Sequence, residues 1–146
     1  MTRVKEVTAS EALKDLLDTY WDATYVKKPT IIATAKVNYG KVDTARGDFI
    51  IIKLAPAGED DRPMGNYTYR NQTIPVLAEI RTKEDDQRMH DLKNELRYIC
   101  YNKKHDIDFY QLVSYLGFTT EVERDQNYWR GTCKLEVSRV GVYALD

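Results

Sequence analysis

The stretch from Thr73 to Lys103 constrains the fold most. Thr73-Ile-Pro-Val-Leu-Ala-Glu-Ile-Arg81 reads as a strand, and Thr82 caps a long helix directly after it, so sheet and helix are consecutive with no room for a linker. Met89, Leu92, Leu96, Ile99 and Cys100 recur at helical spacing as an apolar stripe. Glu84, Asp85 and Asp86 stand in the first turn and Lys103 and Lys104 at the end, each sign where the helix dipole favours it. Pro75 cannot donate a ladder hydrogen bond, which places it near the start of its strand or at a sheet edge.

The other elements follow from local signals. Thr8-Ala9-Ser10-Glu11 has the form of a capping box, and Ala12, Leu13, Leu16, Leu17, Tyr20 and Trp21 continue it as an amphipathic helix of about four turns. Pro29 ends that pattern, and the β-branched run Thr30 to Val37 reads as a strand. A second strand, Asp48 to Leu54, follows the Gly-containing stretch Tyr39 to Gly47, which reads as a hairpin or a wide loop. Pro56 to Gln72 holds two of the 4 prolines, two of the 7 glycines and the acidic triplet Glu59-Asp60-Asp61, without periodicity. Ordinary connections take about 4–6 residues, so a loop this long reads as a functional arm or a disordered segment. Asp106 to Leu116 fits a short helix or a strand. Phe118 to Arg124 and Arg130 to Val142 read as strands joined by a turn at Asp125-Gln126-Asn127. In the last strand Cys133, Leu135, Val137 and Arg139 alternate with Thr132, Lys134, Glu136 and Ser138, one face buried and one wet.

This order is not a strict βα alternation. It predicts an α+β fold in which the N-terminal helix and the long charged helix pack on one face of a largely antiparallel sheet. Residues 1–146 form one domain in this reading, with a protruding loop at 56–72.

Composition narrows the function classes. A chain of 146 residues can bury roughly two thirds of its unfolded surface, enough for a single core. Its 22 basic and 23 acidic residues leave a net charge of −1, which removes the overall footprint of a nucleic-acid coat or a polybasic membrane binder. Tyrosine supplies 11 residues against 3 phenylalanines and 2 tryptophans, a lean toward interfaces and sheet faces. Cys100 and Cys133 carry neither a disulfide framework nor a zinc motif, and a reducing compartment fits. The N-terminus lacks an apolar signal core and the longest apolar run is Phe49 to Ile52, so a soluble, unexported protein is expected. The sequons Asn66-Tyr67-Thr68 and Asn71-Gln72-Thr73 and the tripeptide Arg46-Gly47-Asp48 then read as chance matches.

Catalytic groups are sparse. His90 near the start of the long helix and His105 at its end read as surface residues, and Cys100 and Cys133 as small hydrophobes. No phosphate-binding glycine loop occurs. One constellation resembles metal-dependent nuclease chemistry: Asp48 opening a strand, with Glu79 and Arg81 on one face of the next. Such sites hold Mg²⁺ between carboxylates, but they use Glu-x-Lys where this chain has Glu-x-Arg, and an exposed cross-strand ion pair explains the same residues. The strongest basic patch is Lys27, Lys28, Lys36, Lys41 and Arg46 against the single acid Asp43. A positive strand and an acidic arm on one chain could pair between neighbouring subunits of a ring.

The helix at Ser10-Glu11-Ala12-Leu13-Lys14-Asp15-Leu16-Leu17, the strand running into the Thr82–Lys103 helix, and the terminal strand Trp129-Arg130-Gly131-Thr132-Cys133-Lys134-Leu135-Glu136-Val137 together resemble a known layout. It is that of the tail-terminator and tail-completion proteins of long-tailed bacteriophages, minor proteins of the tail and head–tail joint. The resemblance covers most of the chain and rests on element order, since these families lack a diagnostic motif. It implies a non-enzymatic homohexameric ring, without cofactor or metal, that caps the tail tube, stops its polymerisation and joins it to the head. Its partners would be further copies of itself, the tube protein and a head-completion protein, with DNA passing through the lumen and no membrane involved. Its place would be the virion, after assembly in the host cytoplasm. The interface would be carried by the arm residues Glu59, Asp60, Asp61, Met64, Tyr67, Tyr69 and Arg70 and by Lys36, Lys41 and Arg46. The alternatives are a non-viral α+β interaction or adaptor module and the Mg²⁺-dependent nuclease.

Overall fold

A computed structural model describes residues 7–33, 47–55, 60–64, 69–123 and 128–142. The elements are α1 (Ala9–Tyr20), β1 (Thr30–Ala33), β2 (Phe49–Leu54), β3 (Asp60–Met64), β4 (Tyr69–Thr82), α2 (Asp86–Asn102), β5 (Leu112–Glu123) and β6 (Tyr128–Val142). The fold is α+β, and among the described residues every strand pair but one is antiparallel.

Each helix starts at an oxygen-bearing cap. Thr8 Oγ1 accepts the Glu11 backbone N–H at 3.3 Å, which satisfies a first-turn donor of α1. For α2 the cap is Asp85, whose Oδ1 accepts from Arg88 N at 2.7 Å, rather than Thr82. Thr82 is instead the last residue of β4, and its hydroxyl accepts from Glu84 N at 3.1 Å, turning the chain out of the sheet. The acids counted in the first turn therefore divide: Asp85 caps, Asp86 lies inside, and Glu84 stands before the helix. Lys103 closes the helix as its C-cap.

The sheet has six strands in the order β1-β2-β4-β6-β5, with β3 also paired to β4. The first two strands run parallel, Thr30 beside Phe49 and Ala33 beside Ile52, so their connection is not a hairpin. β1 stops at Ala33, and the remainder of the expected strand, to Val37, lies outside the described residues. Of the stretch from 56 to 72 read as a loop, residues 56–59 and 65–68 lie outside the described residues, and the rest is strand. β3 occupies Asp60–Met64 and β4 already begins at Tyr69, with Met64 opposite Tyr69 across a hairpin. Charges and a proline hid β3 from a propensity reading. Asp60, Asp61, Arg62 and Pro63 are residues that blunt an edge strand, and among the described residues β3 pairs only with β4.

β2 and β3 run one after the other along the same side of β4. Leu54 pairs with Val76, and pairing resumes at Asp60 with Thr73. Pro75 lies in that interval, in the middle of an interior strand rather than at a start or an edge. Its carbonyl accepts from Ala55 N at 3.0 Å, so its nitrogen faces the same side, where the neighbouring ladder is interrupted and no donor is required.

The segment from Asp106 resolves into turns followed by strand. Val113 N bonds Lys104 O at 3.0 Å, Gln111 N bonds Ser138 O at 2.9 Å, and β5 then continues unbroken to Glu123. A bulge at Leu116, between Tyr115 and Gly117, shifts the register, which is why alternation failed to decide this stretch. Phe109 takes a left-handed φ of 69°, uncommon for an aromatic residue. Its ring packs edge-on to Tyr110 at 5.1 Å, under the Arg139 guanidinium at 4.3 Å.

The core lies between the helices and one sheet face. Ala12, Leu13, Leu16 and Leu17 of α1 and Met89, Leu92, Leu96, Ile99 and Cys100 of α2 meet Ile50, Ile52, Val76, Ala78, Ile80, Val113, Cys133, Leu135 and Val137. Burying each large aliphatic side chain here contributes about 1.5–3 kcal/mol. The alternation expected along β6 is present, its odd positions from Gly131 to Val137 facing the core. No helix among the described residues is long and apolar enough to cross a membrane.

Candidate functional site

The sheet face turned away from the helices carries the most distinctive side-chain cluster. Period-two alternation places Glu79 opposite to the core-facing Ala78 and Ile80, yet Glu79 is only 3% exposed. Its cross-strand partners are Ile51, itself fully buried, and Thr132. Three cations converge on it. Arg81 NH2, two residues on in β4, reaches Oε1 at 3.2 Å and Oε2 at 3.3 Å. Arg130 NH1 on β6, opposite Arg81, reaches Oε1 at 3.4 Å, and Lys53 Nζ on β2 comes within 3.8 Å of Oε2. The reading of Glu79 and Arg81 as an exposed pair is thus corrected: the carboxylate is buried, and it organises cations from three adjacent strands. Glu79 thus ties together cations from three adjacent strands, and across the sheet Glu121 of β5 stands opposite Arg130.

The nuclease constellation is taken apart by the fold. Asp48 lies just before β2 on the helical side, where its Oδ2 accepts from Arg88 Nε at 2.8 Å. Arg88 also donates to the Lys27 carbonyl at 2.7 Å, so this pair ties the start of α2 to β2 and to the segment after α1. Asp48 and Glu79 therefore stand on opposite faces of the sheet and cannot share a cation. Among the described residues no group of acids, histidines or cysteines is arranged to hold a metal ion.

The histidines and cysteines take structural places. The His90 ring lies 6.0 Å from that of Phe118, tilted by 59°, with Nε2 3.5 Å from Asp86, and His105 Nδ1 is 3.1 Å from the Gln111 carbonyl oxygen. Both thiols are buried, and that burial pushes each up to about 12, far from the range of a nucleophile.

The interface residues expected from sequence fall into two sets. Asp60, Asp61 and Met64 lie on β3, and Tyr69 and Arg70 open β4, so these five share one end of the sheet. There β4 is flanked on its other side by β6, with Tyr69 opposite Val142 and Arg70 opposite Gly141. Glu59, Tyr67, Lys36, Lys41 and Arg46 lie outside the described residues. Lys53 and Arg130 were not foreseen as partners of Glu79, because their meeting depends on strand register.

No family model matches the chain, and no curated protein does. Among solved structures it is similar to a chain of the virion of a native gene transfer agent particle, at 11% sequence identity and a TM-score of 0.64. The likeness covers 91% of this chain and 95% of that one. It is a likeness of fold that extends over nearly the whole of both molecules.

Proposed function

We propose that this chain is a structural component of a phage-like virion, without catalytic activity, that closes into a ring at the end of a tail tube. The reading is supported chiefly by the shared fold with a chain of the gene transfer agent virion, which spans nearly the full length of both. In this proposal the ring is a homohexamer that stops tube growth and joins tail to head, touching the tube protein on one side and a head-completion protein on the other. The strand ends holding Asp60, Asp61, Met64, Tyr69 and Arg70 supply the contact with a neighbour, together with Glu59, Tyr67, Lys36, Lys41 and Arg46. The sheet face turned away from the helices, with Glu79 held among Lys53, Arg81 and Arg130, lines the lumen through which DNA passes.

Light scattering coupled to size exclusion, over about a hundredfold range of concentration, tests the proposal. The expected particle has about six times the 17.0 kDa chain mass and a central hole in negative-stain images. A mass of 17.0 kDa at every concentration, with no rings on the grid, favours the other reading, a non-viral α+β interaction module.

A further inference from the structure

On the helical side, away from the Glu79 cluster, α2 and the turn after α1 enclose a pocket of about 400 Å³ lined by Asp22, Tyr25, Val26, Asp91, Asn94, Glu95 and Tyr98. It is built from both sides. Asp22 N donates to Glu95 Oε1 at 3.2 Å, which locks the turn to the helix. The turn is closed by Tyr25 N and Val26 N, both 3.2 Å from the Asp22 carbonyl oxygen, and is pinned by the Trp21 indole, which donates to the Val26 carbonyl at 2.9 Å.

The pocket's electrostatics are one-sided. It holds three carboxylates, and among the described residues none of them meets a lysine or arginine. Among the described residues Asp91 accepts only from the Gln87 amide at 2.9 Å, and the Asp22 carboxylate only from the Thr24 backbone and hydroxyl, whose hydrogen bonds lower its carboxyl from its ordinary value. Glu95 is the decisive group. It is 8% exposed, it lines the pocket, and among the described residues the Asp22 N–H is the one hydrogen bond it receives. A carboxylate removed from water to that degree is ordinarily matched by a cation, because its desolvation is otherwise uncompensated. The rim is aromatic and open: Tyr25 is 85% and Tyr98 63% exposed.

From this geometry we infer that the pocket receives a lysine or arginine side chain of a partner polypeptide. The cation sits between the Glu95 and Asp91 carboxylates, and the tyrosine rings flank its aliphatic stem and charge. The open rim distinguishes this occupant from a free small cation. A bare ion needs ligands all round it, whereas an arginine or lysine side chain brings its own stem and backbone, which the Tyr25 and Tyr98 rings can flank even in a short peptide. The inference does not depend on the virion reading, since it rests only on the pocket.

The test is an amide-resolved NMR titration of the full chain with a blocked Gly-Arg-Gly peptide, alongside the same peptide with citrulline in place of arginine. Citrulline keeps the shape and removes the charge. The expected result is a set of shifts confined to Asp22–Val26 and Asp91–Tyr98, with the citrulline peptide binding at least tenfold more weakly. Glu95→Gln keeps the acceptor for Asp22 N and should weaken the arginine peptide at least tenfold. Asp91→Asn and Tyr98→Ala alter a half-buried and an exposed helix position and carry the same test should Glu95→Gln fail to fold. Equal response to both peptides, shifts scattered over the surface, or unchanged binding by the Asp91→Asn and Tyr98→Ala variants would overturn the assignment. Ring formation that persists in all these variants leaves the virion proposal standing and separates the two.

Discussion

Glu79 shows how one residue decides the character of a whole face. Were it the exposed partner of Arg81 that its sequence neighbourhood implies, its removal would cost under about 0.5 kcal/mol. Because it is buried and flanked by Arg81, Arg130 and Lys53, the Glu79→Gln variant leaves those cations facing each other around a neutral amide. The expected loss is about 3 kcal/mol by urea unfolding, partly restored by added salt. Asp18 provides a pH-dependent counterpart. Burial is the largest influence and pushes its carboxyl up, but hydrogen bonds and charge from Lys14 at 2.7 Å and Lys28 at 3.0 Å outweigh it, and the net shift is downward. A depressed folded-state value means that this stability is present above the ordinary 3.8 and is lost as pH falls through the folded-state value below it. Asp18→Asn should therefore destabilise at neutral pH and make little difference at about pH 2, measured as the gap between the two unfolding midpoints. Lys14, raised chiefly by its hydrogen bond to Asp18, adds a contribution lost only above the ordinary 10.5.

At the scale of elements, what the sequence disclosed was whatever is determined locally. Thr8 and the stripe from Ala12 to Leu17 define α1 within a few turns, and the Met89-to-Cys100 stripe defines α2, because caps and helical spacing are short-range signals. The parallel pairing of β1 with β2, the strand character of Asp60–Met64 and the bulge at Leu116 depend on partners remote in sequence, and no local pattern carries them. Gly131 makes the distinction concrete. On β6 it faces the core beneath the Phe118 ring, and an added Cβ would collide with ring atoms Cζ and Cε2 and come within 3.0 Å of Met89 Sδ. Gly131→Ala must displace a ring wedged between sheet and α2, at an expected cost of about 1–3 kcal/mol. Gly117, beside the bulge, has open space where its Cβ would lie, so Gly117→Ala should be neutral or slightly stabilising by about 0.5 kcal/mol. Paired thermal melts of the two variants check whether packing, rather than glycine content, governs β5 and β6.

At the scale of the whole molecule, the candidate sites were legible as residue types and illegible as places. Glu79 and Arg81 stood out as a same-face pair, but the convergence of Lys53 and Arg130 needs the registers of β2 and β6. Glu95 carried a local signal that went unused: it falls one turn after Leu92 and one before Ile99, inside the stripe that the core occupies. The sheet end formed by β3, β4 and β6 is the third such place. β4 has a partner on each side there, so Tyr69 and Arg70 belong to a strand whose backbone is held independently of their side chains. This separates folding from assembly. If that end contacts a neighbouring subunit, the double variant Tyr69→Ser, Arg70→Glu should keep the circular dichroism spectrum and the melting temperature of the parent while shifting its mass in light scattering from the assembled particle to the 17.0 kDa chain. A charge reversal at an interface rim acts mainly on association rate and salt dependence, so residual assembly should recover at high ionic strength. Rings that form undiminished in the double variant would move the contact away from this end of the sheet.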